Sequence, residues 1–246
     1  MINSITPEEN KSTPAKEIIY YQYSQWLRKF FSYISLTARK GMLNTFHTAT
    51  NFTSEDTILD VGVTADQENS ESNFFEKYYP FQNNITAVGT SSATYLEEEY
   101  PGLKFVLADG KNLPFSSDSF DYVFSNAVIE HVGSSSEQSK FIKELNRVAK
   151  KGVFITTPNR WFPVEFHVIL PFVHWLPKPW FRFLMKLIKR EPFHQEEYLN
   201  LLSFRDLKKI CTDLGIKNYS FYKQRVLGIT SNIILYTRKI DHSTYQ

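Results

Sequence analysis

The 246-residue sequence lacks several features that would place it in common classes of protein. Its one cysteine, Cys211, excludes an internal disulfide and fits a reducing compartment. No apolar run approaches the roughly 20 residues needed to cross a bilayer, and the polar segment 1–16 has no secretory signal pattern. The net charge of +2 is far from the clustered basic excess typical of nucleic-acid binding. We therefore expect a cytoplasmic protein that does not bind nucleic acid.

Three kinds of catalytic or metal site also lack their sequence motifs. The histidines have neither cysteine partners nor a His-x-x-x-His pair, so no bound metal is expected. A Gly-x-Gly-x-x-Gly turn with a downstream acid is missing, which argues against a nicotinamide cofactor. The Gly-x-Ser-x-Gly elbow of serine hydrolases is missing as well.

Short apolar segments alternate with amphipathic segments between residues 57 and 157. This alternation predicts a doubly wound α/β fold, in which helices cover both faces of a mostly parallel sheet. The predicted strands are 57–61, 85–89, 104–108, 122–124 and 153–157, and the predicted helices lie near 72–79, 93–99 and 137–150. After an interruption, Ser203 and Asp206 form the capping-box pattern of a further helix. Two last strands are predicted at 217–222 and 232–237.

The chain divides into four parts by composition. We expect residues 1–16 to form a flexible tail, because the segment is polar and contains two prolines. Aromatic and apolar residues at helical spacing predict an N-terminal helical cap over 17–52. The alternating pattern predicts one main domain over 53–240. The segment 158–200 interrupts that pattern and is predicted to be an insertion after the fifth strand.

Polar residues and glycines follow three of the predicted strands. Asp60 lies at the end of the first strand and Gly62 follows it, Asp109 follows the third strand, and Asn126 follows the fourth. Open α/β sheets bind ligands at the carboxyl ends of their strands. Glycine also lets backbone N–H groups approach a ligand closely, because it has no side chain. The sequence therefore predicts a ligand site along this edge.

The segments 58–66, 108–115 and 125–132 resemble, in order and spacing, the class I S-adenosyl-L-methionine (SAM) dependent methyltransferases. The match is strongest at 125–132, which includes a Glu-His pair. The resemblance covers about residues 53–240 and implies a seven-stranded sheet whose last strand is antiparallel. It implies SAM as cofactor and methyl transfer, an activity of EC class 2.1.1, to a small-molecule, saccharide or lipid-linked acceptor.

The resemblance also implies which residues contact SAM. Asp109 corresponds to the acid that meets the adenine amino group, and the segment that begins at Asn126 corresponds to the one that lines the methionine side. The full set of cofactor-binding residues that the resemblance implies is Asp60, Gly62, Val63, Thr64, Gly89, Thr90, Asp109, Gly110, Asn112, Leu113, Asn126 and Ala127.

The sequence departs from the family pattern in two places. Thr64 and Asp66 stand where the family has its later glycines, and no acid follows the second strand, where Thr90 and Ser91 stand instead. A hydroxyl is a weaker partner for the ribose than a carboxylate. An alternative hypothesis is therefore a degenerate methyltransferase fold that serves as a binding or scaffold subunit without catalysis.

The acceptor side is predicted to lie after the fourth and fifth strands. His167 and His131 are candidate bases, because imidazole titrates near neutral pH, and Glu165 and Arg160 are further acceptor-side candidates. Within the insertion, segment 178–190 carries cations at three- and four-residue spacing among aromatic residues. Two interpretations remain open: an element at the inner membrane surface, or a lid helix packed on the domain.

Overall fold

The computed structural model describes residues 25–67, 72–165, 167–168, 170–190 and 192–239, with side chains from residue 32 onward. The predicted tail, 1–16, and the beginning of the predicted cap, 17–24, lie outside the described residues. Within the described ranges no helix is long and apolar enough to cross a membrane.

Seven strands form one sheet with the order β3-β2-β1-β4-β5-β7-β6. The strands are β1 Ile58–Val61, β2 Ile85–Gly89, β3 Lys104–Leu107, β4 Phe120–Asn126, β5 Ala149–Pro158, β6 Tyr219–Val226 and β7 Ile229–Arg238. The first five strands pair in parallel, and β7 runs antiparallel to both β5 and β6. The predicted fold class, doubly wound and mostly parallel with an antiparallel last strand, is confirmed.

Six α-helices flank this sheet in the described ranges. They are α1 Gln25–Thr50, α2 Phe74–Tyr78, α3 Tyr95–Glu99, α4 Ser135–Val148, α5 Lys178–Leu187 and α6 Phe204–Asp213. The helix α6 begins with the predicted capping box, in which Ser203 and Asp206 each bond the other's backbone N–H. The side chain of Ser134 accepts from the N–H of Glu137 and so caps α4.

The two faces of the sheet carry different cores. On one face, the aliphatic side chains of β4 and β5 pack with α4 and α6. On the other face the core is aromatic: the Phe46 ring of α1 lies 5.4 Å from Phe124 and 5.2 Å from Phe154, and Phe75 stacks on Phe124 at 4.1 Å. Such ring contacts add stabilisation beyond the area they bury. The N-terminal helix is therefore part of the sheet's packing.

The insertion after β5 has a small core of its own. Its buried residues include Phe181 and Met185 of α5, packed with Phe193, Leu199 and Leu201. The end of the insertion returns to the sheet, since the N–H of Asn200 donates to the Glu130 carbonyl at 2.7 Å. The insertion is thus held beside the carboxyl ends of β4 and β5.

Candidate active site

The turn after β1 is shaped by close contact with the segment after β4. Gly62 has a φ of +117°, and a Cβ at this position would lie 2.1 Å from Cγ2 of Val128. The N–H groups of Gly62 and Val63 donate to the Val88 carbonyl at 2.8 and 3.1 Å. Glycine is therefore required here by both backbone conformation and space.

Asn73, which was not among the predicted site residues, holds the part of this turn that contains Thr64. The N–H of Thr64 donates to Oδ1 of Asn73 at 2.9 Å, and Nδ2 of Asn73 donates to the Thr64 carbonyl at 2.8 Å. Asn73 has a φ of +49° just before α2, and its Nδ2 also donates to the Tyr95 hydroxyl. Asn73 lies within the segment predicted to be helical, near 72–79, so the helix in fact begins one residue after it; the signal available in the sequence was the residue type, because Asn tolerates this left-handed conformation. Thr64 stands where the family pattern has a glycine, and these bonds tie its backbone to the start of α2.

The carboxyl group of Asp60 is buried beside a second buried carboxyl, that of Glu76. Burial raises the pKa of both groups, and the charge of Glu76 raises that of Asp60 further. Neither oxygen of Glu76 has a hydrogen-bond donor among the described residues. The raised pKa values mean that burial favours the protonated forms of this pair. Sequence reasoning missed Glu76, because its burial depends on how α2 packs.

The predicted adenine side presents an accessible carboxylate. Asp109 accepts from the N–H of Lys111 at 2.9 Å, and its side chain is about half exposed. Asn112 is exposed and Leu113 is buried, with the Leu113 N–H donating to Glu144 at 2.8 Å. Gly110 is needed for packing, since a Cβ there would lie 2.5 Å from the Phe141 ring.

The end of β2 lies against the turn after β1. Thr90 is exposed, and Gly89 lies so close to the first turn that a Cβ would sit 2.7 Å from the Val63 carbonyl oxygen. No side chain can therefore enter between the two turns.

The end of β4 is locked to β5. Oδ1 of Asn126 accepts from the Thr156 hydroxyl at 2.6 Å, and the Ala127 N–H donates to the Thr156 carbonyl at 2.9 Å. Ala127 has a φ of +55°, a conformation that alanine rarely adopts. These bonds hold the turn in that strained conformation.

The two predicted histidines meet just beyond these strand ends. The rings of His131 and His167 lie 4.8 Å apart, although 36 positions separate them in the chain. Nδ1 of His131 donates to the Tyr198 carbonyl at 2.6 Å, and its Nε2 lies 3.9 Å from Glu130. Glu130 is buried, and its other oxygen accepts from the Thr157 hydroxyl.

Glu165 orients His167. Its carboxylate accepts a close hydrogen bond from Nδ1 of His167, and it accepts the N–H groups of His167 and Val168 at 2.7 and 2.8 Å. Burial alone would raise the pKa of Glu165, but His167 and the two N–H donors together hold it below its ordinary value. A buried carboxylate on one ring nitrogen leaves the other nitrogen for proton transfer.

The fold and this edge together define a class I methyltransferase fold, in which the site lies where five parallel strands end. A structure of a SAM-dependent methyltransferase from Methanosarcina mazei is similar at 19% identity and a TM-score of 0.50, covering 77% of this chain and 94% of that chain.

Two further solved structures are similar and hold S-adenosylhomocysteine. One is the magnesium protoporphyrin IX methyltransferase of Synechocystis PCC 6803, at 14% identity, a TM-score of 0.55, and coverage of 91% of this chain and 93% of that one. The other is the 1,6-didemethyltoxoflavin-N1-methyltransferase of Burkholderia thailandensis, at 12% identity, a TM-score of 0.54, and coverage of 83% and 79%.

Residues 59–156 match a protein family described as "Methyltransferase domain". The matched segment runs from β1 through most of β5 and so includes every turn that carries a predicted cofactor-binding residue. No curated protein sequence matches the chain. The resemblance to the class I SAM-dependent methyltransferases is confirmed.

Proposed function

We propose that the protein binds SAM and transfers its methyl group to a small-molecule acceptor. The observation that carries this proposal is the contact between the Gly62 turn and Val128, which places the turns after β1 and β4 side by side. Asp109 presents its carboxylate on the same edge. The edge fits SAM, because exposed backbone at Gly62 and an accessible carboxylate suit its methionine and adenine ends.

The chain's own residues would align the acceptor and accept its proton. Bound SAM supplies an already activated methyl group, so most of the catalysis is alignment of the reactants and exclusion of water. His167 is the proposed base for an acceptor hydroxyl or amine, because Glu165 holds its Nδ1 and leaves Nε2 to take the proton. His131 packs against the His167 ring and is held in turn by Tyr198.

Calorimetric titration with SAM and with S-adenosylhomocysteine tests this proposal. We expect saturable heat with both ligands and a rise in melting temperature, because a ligand that binds only the folded state stabilises it. The absence of both effects at millimolar SAM would overturn the proposal. The degenerate scaffold subunit, which the altered turn still allows, would then be the better hypothesis.

We also propose that the insertion lies on the inner membrane surface through α5. This helix buries Phe181 and Met185, yet it exposes a second apolar face on the opposite side: Trp180, Phe183 and Leu187 are 66%, 62% and 66% exposed. We call these three residues the exposed stripe. Helices that rest on a membrane insert such residues while cations stay at the headgroups.

Two of the cations in segment 178–190 do not face solvent freely, as a basic outer face would require. Arg182 pairs with Glu196, and Lys178 is half-buried, so the outward side of α5 is mainly apolar. Lys186 and Lys189 are exposed beside the stripe and complement anionic headgroups. An anionic bilayer is therefore the proposed occupant of this face.

Cosedimentation with phosphatidylserine-containing vesicles tests this contact. We expect binding that weakens with salt and is reduced at least tenfold by Trp180→Ser together with Phe183→Ser. Tyr33→Ser, on the exposed surface of α1, is the matched control and should bind as the unmodified chain does. If the unmodified chain fails to bind at low salt, the membrane proposal is wrong and the stripe faces another protein.

A further inference from the structure

A cleft within the insertion has an unusual concentration of positive charge. It lies between the start of α5 and segment 199–201 and is open to solvent. Arg160, Lys178 and Arg182 line it together with His174 and Asn200. We call this the cation cleft.

Two of the three cations have no carboxylate partner. Arg160 donates to the Leu176 carbonyl at 2.9 Å, and Lys178 donates to Oδ1 of Asn200 at 2.6 Å. Neither forms an ion pair within the described part of the chain, whereas Arg182 pairs with Glu196. Burial lowers the pKa of Lys178, the charge of Asp206 raises it, and the charges of Arg160 and Arg182 lower it. The cleft therefore keeps positive charge, although Asp206 offsets part of it at Lys178.

The backbone at the cleft adds to this charge. The ten-residue helix α5 begins at Lys178 with no acidic residue in its first turn and no side chain capping it. Pro179 has no N–H, and the Phe181 N–H donates to the Pro177 carbonyl at 3.0 Å, so it is mainly the helix dipole that favours an anion at this end.

An independent sign of a ligand comes from His174. This residue is only 3% exposed, and its Nε2 donates to the Phe162 carbonyl at 2.7 Å. Its Nδ1 has no hydrogen-bond partner among the described residues. Burial lowers the pKa of His174, so the ring stays neutral and Nδ1 can only accept a hydrogen bond. A buried acceptor without a donor calls for a ligand or water to satisfy it.

His174 also connects the cleft to the proposed base. It forms a shared wall, together with Leu201, between the cation cleft and a second cavity that Glu165 lines. Glu165 is the residue that holds His167. The cation cleft therefore adjoins the cavity that contains the residue orienting the proposed base.

We propose that the cation cleft binds a phosphate group of the methyl acceptor, with a hydroxyl beside that phosphate donating to His174. The inference rests on the proposed function, since it names the class of acceptor as a phosphate ester. The phosphate could belong to a soluble sugar phosphate or to a lipid, and the same cations recognise both.

Pyrophosphate binding, measured by calorimetry without SAM, tests the cleft independently of the cofactor. We expect saturable binding that weakens at least tenfold in Arg160→Gln and in Lys178→Gln. Lys209→Gln, an exposed cation on α6, should bind as the unmodified chain does. Thermal unfolding of each variant shows whether it is folded, and two variants are used so that one unfolded protein does not decide the result.

The outcomes separate this inference from the methyltransferase proposal. No pyrophosphate binding, or equal weakening by Lys209→Gln, overturns the cation cleft even if SAM binds. Pyrophosphate binding supports it even if SAM does not bind. Glucose 1-phosphate and vesicles with phosphatidic acid then identify the source of the phosphate. If the two cleft variants weaken binding of glucose 1-phosphate more, the phosphate is soluble. If they weaken binding of the vesicles more, the phosphate belongs to a lipid.

Discussion

The proposed cofactor side of the site is formed mainly by backbone, whereas the proposed acceptor side is formed mainly by side chains. On the proposed cofactor side, Gly62 and Gly89 let neighbouring turns approach one another closely, and Asp60 is buried beside Glu76. On the acceptor side, side chains dominate: Glu165 with His167, and the cations of the cleft.

The difference indicates how each side can change in evolution. Backbone contacts survive substitutions such as Thr64 and Asp66, provided that the turn keeps its shape. Side-chain contacts change with each residue, so the insertion is where specificity for the acceptor is expected to lie.

The largest expected effect comes from Gly62→Ala. The added Cβ would collide with Val128 and also force alanine to a φ of +117°. Overpacking and the strained conformation together should cost about 2–4 kcal/mol of unfolding free energy, measured by urea denaturation, and SAM binding should be lost. Gly215→Ala is the control, because Gly215 has a φ of +70° but nothing within 4 Å of its Cβ. Equal losses in the two variants would show that the contact with Val128 does not matter.

The next effect concerns the proposed base. His167→Gln should lower the methyl-transfer rate by about 10²–10⁴-fold, as loss of a general base does, and should leave SAM affinity unchanged. Glu165→Gln should retain part of the rate, because it removes the carboxylate that orients the ring. Once an acceptor is found, single-turnover rates measure both variants. His47→Gln on α1 is the control, and a rate for His167→Gln equal to the control's would exclude His167 as the base.

A smaller effect is expected at the adenine side. Asp109→Ala should weaken SAM binding at least tenfold, since a hydrogen bond to a charged group is worth about 1.5–3 kcal/mol. Calorimetry measures this affinity, and Glu98→Ala, an exposed acid on α3, is the control. Unchanged affinity in Asp109→Ala would mean that Asp109 only shapes its turn, where it accepts from Lys111.

The smallest expected effect concerns the stability cost of burying the carboxyl groups of Asp60 and Glu76 together. Burial raises the pKa of Asp60 and Glu76, so stability is lost as pH rises above the ordinary carboxyl range near 4.5. Glu76→Gln should donate its amide to Asp60 and be about 1–3 kcal/mol more stable than the unmodified chain at pH 7. The gain should shrink toward pH 4 in urea denaturation. A gain independent of pH would contradict the raised pKa values of the pair.

Much of the acceptor side could not be predicted from the sequence alone. The cation spacing in 178–190 suggested a basic outer face, but Lys178 turns toward Asn200 and Arg182 toward Glu196. The apolar residues of α5 divide between a buried face and the exposed stripe, and periodicity does not say which face will be covered. Likewise, His131 and His167 were identified separately, and only packing of the insertion brings their rings together.

The sequence by itself determined the alternation of strands and helices, the capping box at Ser203 and the polar strand ends, because these depend on local periodicity and local hydrogen bonding. Tertiary structure alone decided which groups lose water and which charges meet. The Asp60–Glu76 pair, the His131–His167 contact and the cation cleft each join segments distant in the chain. Burial and proximity decide how such groups interact, and no local pattern of residues records either one.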